Sequence, residues 1–144
     1  IVNGQLGYIK NKPHIILRSI VNEHLAVDDT LERLDLQHKS NQADIFFVED
    51  VAYQKALIQL MQRKMLPVEA MHPGGRDKRA RLMTVASYIK DGTVLFPRTG
   101  MEDLIIQLTH FGVEAHDDLV DALVYLILGL AKFTSQKMEV EWLG

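Results

Sequence analysis

The sequence predicts an α/β domain in which a mixed sheet has helices on both faces. Strand-like and helix-like segments alternate from residue 14 onward, which is typical of β-α-β crossovers. The segment 45–48 is wholly apolar, as in a strand covered on both faces, and the last helix is apolar on nearly all sides. The length of 144 residues suits one core, so we expect a single domain, 1–144.

The first half of the chain is predicted to hold three strands and one helix. The strand segments are rich in β-branched and other apolar residues. In the helix, Leu31 and Leu34 are spaced for one buried face, and Asp28 or Asp29 can cap its first turn. The predicted segments are strands at 1–9, 14–21 and 45–48, a turn at 10–13 and a helix from about 28 to 38.

The second half is predicted to alternate helices with short strands. The predicted segments are helices at 52–64, 77–90 and 102–111, a last helix from about 117, and strands at 67–71 and 94–96. Apolar residues at helical spacing define one buried face on each of the first three helices. These faces are Leu57, Leu60, Met61 and Met65; Leu82, Val85, Ala86 and Ile89; and Leu104, Ile105, Leu108 and Phe111.

Composition and motifs exclude several classes of protein and site. The chain has no cysteine, which rules out a disulfide framework, a thiolate zinc site and a cysteine nucleophile. It also lacks the Gly-x-x-x-x-Gly-Lys-Ser/Thr phosphate loop and the His-Glu-x-x-His zinc motif. The net charge of −3 is unlike that of a DNA-coating protein. The apolar stretch 119–131 is too short to span a bilayer, so we expect no membrane partner.

Two acids follow the most hydrophobic predicted strand. Glu49 and Asp50 come directly after residues 45–48, and ligand sites of open α/β sheets lie beyond the carboxyl ends of strands. The alternative is that the two acids begin a loop and favour the N-terminus of the next helix. Neighbouring residues on a strand point to opposite faces, so we expect only one of the two to bind a ligand.

Three acids open the last predicted helix. Asp118 and Asp121 are three residues apart, and Asp117 and Asp121 four apart, so they share a face. Asp121 lies in an otherwise apolar helix, where a carboxylate is costly unless it is paired or bound to a cation. The alternative makes Asp117 a helix cap, Asp118 a partner of the helix dipole and Asp121 the partner of an arginine. His116 borders the cluster and could serve as a metal neighbour or proton shuttle.

Taken together, these carboxylates predict an all-oxygen metal site. Such a site suits Mg²⁺ or Mn²⁺, and two of these ions about 4 Å apart can activate a water for phosphodiester cleavage. A basic segment with Arg76, Lys78, Arg79 and Arg81 follows a Gly-Gly loop and predicts contacts with DNA phosphates. On a helix, Lys78 and Arg81 share a face from which Arg79 diverges. The alternative is a solvated helix face without a role.

An ordered set of motifs resembles the C-terminal nuclease domain of the large terminase subunit of tailed phages and prophages. The motifs are Phe47-Val-Glu49-Asp50-Val-Ala-Tyr-Gln54, Asp77-Lys78-x-x-Arg81, Gly92-x-Val94-x-Phe96-Pro97, Phe111 and His116-Asp117-Asp118-Leu-Val-Asp121-Ala122. The resemblance covers roughly residues 14–131. It implies a ribonuclease H-like fold and sequence-independent cutting of double-stranded DNA with two divalent ions.

The resemblance assigns roles to individual acids. Glu49 matches the acid that ends the family's fourth strand. Asp118 and Asp121 match the acids of the last helix, with Asp117 as the competing assignment. These residues are the expected catalytic and metal-binding residues, and Asp50 is left as an accessory. Lys78 and Arg81 would orient the DNA strand.

The resemblance also implies partners and a departure from the family. It implies an ATPase domain in the full-length protein, a portal and a small terminase subunit as partners, and the cytoplasm of a host cell as the location. The family's first strand carries an aspartate that is the central metal ligand, but no aspartate or glutamate lies upstream of residue 14. Residues 1–9 resemble the family's second strand, and 1–13 would be a strand and turn remnant. We therefore expect the first strand to be missing from this chain or replaced by another element, and nuclease activity to be weak or absent.

Two further functions stay open. One is a Holliday-junction resolvase or transposase-like nuclease of the same superfamily, because Asp118-x-x-Asp121-Ala-Leu resembles the closing helix of such resolvases. The other is a non-catalytic interaction module, in which the acids are caps and ion pairs and the segment Glu139-Val-Glu-Trp142 of the C-terminal tail, 132–144, docks on a partner.

Overall fold

Strands and helices alternate along the chain, as the sequence predicts. The computed structural model describes residues 1–40, 43–72, 77–111 and 117–143. The elements, in chain order, are β1 (Val2–Ile9), β2 (Lys12–Ile20), α1 (Val27–Lys39), β3 (Phe46–Glu49), α2 (Lys55–Arg63), β4 (Val68–Met71), α3 (Lys78–Lys90), β5 (Val94–Leu95), α4 (Glu102–Thr109) and α5 (Asp118–Leu143). The α/β class with a mixed sheet is therefore confirmed.

The elements are distributed over two compact units. The first takes Ile1–Asn22 and Arg76–Gly144, and the second takes Glu23–Gly75. The sequence predicts one sheet, whereas the described strands form a three-stranded sheet in the first unit and a two-stranded sheet in the second. Whether the two units form the single domain predicted for residues 1–144 depends on how they are joined, so this stays a prediction.

The first unit is built on the mixed sheet, with strand order β1-β2-β5. β1 and β2 are antiparallel, and β2 is parallel to β5. Lys10 and Asn11 connect β1 to β2, and both have positive φ, 51° and 64°. Two successive residues of this kind match the right-handed twist of a hairpin. The turn is therefore shorter than predicted, and β2 begins at Lys12 rather than at His14.

Helix α5 supplies much of the core of the first unit. Its buried side chains occur on nearly all sides of its first three turns, as the sequence predicts; they include Leu119, Val120, Leu123, Val124, Ile127 and Leu130. Gly4 of β1 allows α5 to approach closely, because a Cβ atom there would lie 2.9 Å from Leu126 Cδ2. The helix continues to Leu143, so most of the predicted tail is helical. No helix among the described residues has the length and hydropathy needed to cross a membrane.

The second unit holds a two-stranded parallel sheet with α1 and α2. Phe46 of β3 is level with Val68 of β4, and Glu49 is level with Met71. The side chains of Phe46 and Val48 are buried, whereas the alternate residues of β3 are only half-buried. β3 is parallel to β4, as predicted, and the face with Phe46 and Val48 is the more completely covered of its two faces.

The end of α2 explains one wrong core prediction. Met65 is 87% exposed, and Leu66 is buried in its place. The amide of Leu66 donates to the carbonyl of Met61, and the amide of Met65 donates to that of Gln62. These are the two hydrogen bonds of a Schellman motif, in which Met65 takes the left-handed position, at φ 58°. The motif turns Met65 away from the face that its spacing predicts.

Two helix starts also differ from the prediction. Helix α1 begins with Ala26 as its N-cap and has no side-chain cap, so neither Asp28 nor Asp29 caps it. Both acids lie in the first turn instead, where they favour the helix dipole. Helix α2 begins at Lys55, after a short 3₁₀ turn at Ala52–Gln54.

Helix α4 buries a narrower face than predicted, and two adjacent residues test this. Leu104 is fully buried, whereas Ile105, which the sequence places on the same buried face, is 47% exposed. We expect Leu104→Ala to lower the free energy of unfolding by about 2–5 kcal/mol, because it leaves a cavity. Ile105→Ala should lower it by less than about 1 kcal/mol. Urea unfolding monitored by circular dichroism measures both, and equal losses would contradict the assigned burial.

Candidate functional site

Three carboxylates meet at the start of α5. Asp117, Asp118 and Asp121 each offer one oxygen, and these oxygens lie within 4.8 Å of one another. The amide of Asp121 donates to the carbonyl of Asp117 at 3.1 Å, so the two residues are one helical turn apart on the same face. Asp117 and Asp121 are partly buried, and Asp118 is exposed. The helical spacing predicted from the sequence therefore produces an acidic cluster.

A lysine from another helix joins two of these acids. Lys78, the first residue of α3, places its Nζ 2.8 Å from Asp117 Oδ1 and 2.9 Å from Asp121 Oδ2. The sequence analysis assigns the acids to a metal site and Lys78 to a separate DNA contact. In the structure, Lys78 lies beside two of these acids. Lys78 therefore supplies a basic partner for Asp121, and the arginine partner named by the sequence analysis stays a prediction.

These contacts change the acid–base behaviour of Lys78. Its hydrogen bond to Asp117 has the largest effect and raises the pKa of the ammonium above its ordinary value. Partial burial opposes this rise, while the hydrogen bond to Asp121 and the attraction of both carboxylates add to it. Lys78 is therefore fully charged at neutral pH.

The start of α3 is held in place independently of the lysine side chain. Asp77 Oδ1 accepts a hydrogen bond from the amide of Ala80 at 2.7 Å and caps the helix. One turn later, the Arg81 guanidinium carbon lies 5.9 Å from the centre of the Tyr125 ring on α5, a cation–π contact. The cap and this contact fix the helix start from which Lys78 reaches the acids.

The start of α5 is fixed by a glutamine that the sequence analysis missed. Gln107 of α4 is only 7% exposed, and its Oε1 accepts the backbone amide of Leu119 at 3.0 Å. This amide is one of the N-terminal N–H groups that a helix leaves without an internal acceptor. Leu104 and Leu108 flank Gln107 at helical spacing, so a polar residue on this apolar face was the available signal.

The remaining basic residues have different environments. Arg79 is exposed on α3, as expected for a group that can contact DNA. Arg81 is only 8% exposed, which leaves little of its surface for DNA. Arg76 and His116, the other predicted site residues of this part of the chain, lie outside the described residues. The DNA-contacting role of the basic segment stays a prediction.

Glu49 and Asp50 belong to the second unit. Glu49 is the last residue of β3, at the carboxyl end of a parallel strand as predicted. The amide of Asp50 donates to the carbonyl of Met71 at 2.8 Å, which extends the ladder by one hydrogen bond. Their part in a metal site stays a prediction.

The donor set of the acidic cluster fits a hard divalent cation. Three carboxylates and one ammonium carry a combined formal charge of minus two, which one divalent ion neutralises. Opposite oxygens bound to Mg²⁺ lie about 4.2 Å apart, and those bound to Ca²⁺ about 4.8 Å apart. The separations of the three oxygens are therefore of the size that one such ion spans.

Comparison of the chain with protein-family models, curated proteins and solved structures finds no match. The resemblance to terminase nuclease domains therefore depends on the motifs alone. The chemistry of the acidic cluster is what remains to indicate a function.

The contribution of Gln107 can be measured by removing its acceptor. In Gln107→Leu the amide of Leu119 loses its partner in a buried place, so we expect the free energy of unfolding to fall by about 1–3 kcal/mol. The control is Gln59→Leu on α2, where the glutamine is exposed and the change should stay within about 0.5 kcal/mol. Urea unfolding compares the two variants, and similar small effects would refute the capping role.

The pKa of Lys78 predicts how the ion pair responds to pH. Because this pKa is higher in the folded chain than in the unfolded chain, the stabilisation is complete below the unfolded value of about 10.4 and is lost as the pH rises above it. The lysine side chain is 46% exposed, so solvent screening keeps the contribution near or below about 1 kcal/mol.

We therefore expect Lys78→Met to be less stable than wild type at neutral pH, with a difference that shrinks above about pH 10.4. Urea unfolding across this range measures the difference, and Lys90→Met, at the exposed end of α3, is the control. A difference that grows at alkaline pH would have the wrong sign for the assigned ion pair.

Proposed function

We propose that this chain is a nuclease domain that hydrolyses phosphodiester bonds of double-stranded DNA with Mg²⁺ or Mn²⁺. The observation that carries the proposal is the cluster of Asp117, Asp118 and Asp121 at the start of a buried helix. Carboxylate oxygens are the ligands that these ions prefer. The motif resemblance supports the finer proposal of a ribonuclease H-like domain from a viral packaging terminase.

The residues divide the work by their chemistry. The three aspartates would hold one ion, and the motif resemblance supports Glu49 as a further metal ligand. Bound ions of this kind polarise a phosphate and lower the pKa of a water. Lys78 and Arg79 would bind phosphate oxygens and fix the strand, and such contacts carry no sequence information. We therefore propose cutting without sequence preference.

A second candidate function is a non-catalytic interaction module. It is favoured by one observation, namely that Lys78 already pairs with two of the three acids. In that case the carboxylates need no metal, and the cluster is a structural ion pair with one exposed aspartate beside it. The two proposals differ in whether the wild-type protein binds divalent ions.

Isothermal titration with Mn²⁺ separates the two functions. We expect the wild-type protein to bind Mn²⁺ at millimolar or lower concentration, and Asp118→Asn to weaken binding by about tenfold or more, because it removes one ligand charge. Asp118 is exposed and makes no ion pair with Lys78, so this variant should fold normally. Asp29→Asn, in an exposed turn of α1, is the matched control. Wild-type protein that binds no Mn²⁺ would favour the interaction module.

Plasmid nicking with Mn²⁺ provides the functional half of the same test. For residues 1–144 alone we expect weak or absent cleavage, because residues 1–13 contain no acid that could match the family's first-strand aspartate. Robust nicking that Glu49→Gln abolishes would overturn this prediction of weak activity and would support the nuclease function. Nicking that is unaffected by both Glu49→Gln and Asp118→Asn would contradict the assigned residues.

A further inference from the structure

We propose that Lys78 is a built-in counter-cation that a divalent ion displaces, so that metal binding releases this lysine to contact phosphate. The inference rests on the proposed function, because it requires the acidic cluster to bind metal. It adds that metal binding by the acidic cluster controls whether Lys78 can bind phosphate, whereas the sequence analysis considers the acids and the lysine separately. The lysine would offset part of the negative charge of the acids in the absence of metal and would contact the substrate in its presence.

The positions of three atoms carry the inference. Lys78 Nζ lies within 3 Å of Asp117 Oδ1 and of Asp121 Oδ2, so one ammonium occupies the space between two of the proposed metal ligands. A divalent ion bound by the same oxygens would lie about 2.1–2.4 Å from each. Two cations that share these ligands at such distances repel each other. A metal that takes these same two oxygens would therefore displace the lysine.

The surroundings of Lys78 allow its head group to leave without disturbing the fold. Its side chain is 46% exposed, and a lysine carries its charge on a flexible four-carbon stem. The backbone of α3 is held by the Asp77 cap and by the packing of Arg81 against Tyr125, and neither contact involves the lysine side chain. The ammonium can therefore move without a shift of the α3 backbone.

The exchange would couple metal binding to DNA binding. In the metal-free state the ammonium is held by carboxylates that repel a phosphate. After the exchange, the metal would offset two of the three negative charges of the cluster, and the ammonium would be free for a phosphate oxygen. Because coupling between two ligands is reciprocal, DNA that engages Lys78 would also strengthen metal binding.

The release can be observed in the wild-type protein by lysine labelling. An acylating reagent is added with and without Mn²⁺, and mass spectrometry measures the modification rate at Lys78 and at Lys90, an exposed lysine at the end of α3. We expect Mn²⁺ to raise the rate at Lys78 several-fold and to leave Lys90 unchanged. An unchanged rate at Lys78, at Mn²⁺ concentrations where titration shows binding, would overturn the inference and leave the proposed function intact.

Metal affinity gives a second readout. Lys78→Met removes the competing cation, so its affinity for Mn²⁺ should exceed that of wild type and of Lys90→Met by on the order of tenfold. Mn²⁺ should strengthen DNA binding by wild-type protein more than by Lys78→Met, and Ca²⁺ can replace Mn²⁺ where cleavage interferes. Equal Mn²⁺ affinities for the three proteins would contradict the displacement. Absence of Mn²⁺ binding by the wild-type protein would instead refute the metal site itself.

Discussion

Compensation of clustered negative charge links the two helices of the first unit that form the candidate site. Asp117 and Asp121 stand where α5 begins, next to side chains that are almost completely buried. Carboxylates in such a place require a cation, and Lys78 supplies one from α3. The position of α3 therefore has an electrostatic reason as well as an apolar one. Arg81 and Tyr125 form a second link between the same two helices, one turn further along.

Much of the fold could be predicted because it depends on local pattern. The order of strands and helices follows from apolar periodicity, and the clustering of Asp117, Asp118 and Asp121 follows from the spacing of a single helix. The errors also have local causes. Met65 is exposed because a left-handed residue closes α2, and few sequence signals other than glycine mark that conformation.

The partners of the acidic site could not be predicted, because they come from distant parts of the chain. Lys78 and Asp117 are 39 residues apart, and no periodicity connects them. A basic segment next to a loop was interpreted as a DNA contact because the sequence shows the charge and not its neighbour. Gln107 was missed for a similar reason. Its side-chain oxygen can accept the amide of Leu119 only when α4 and the start of α5 lie side by side.

Gln107 also affects which ions the N-terminus of α5 can attract. The free amides at the start of a helix normally form a place that attracts anions, phosphate included. In this helix the side-chain oxygen of Gln107, on α4, accepts a hydrogen bond from one of those N–H groups. Three carboxylates lie at the same end of the helix. A helix terminus that would otherwise attract phosphate directly is thereby changed into one that selects cations. Any phosphate that approaches α5 must then be held through a positive charge supplied by another group.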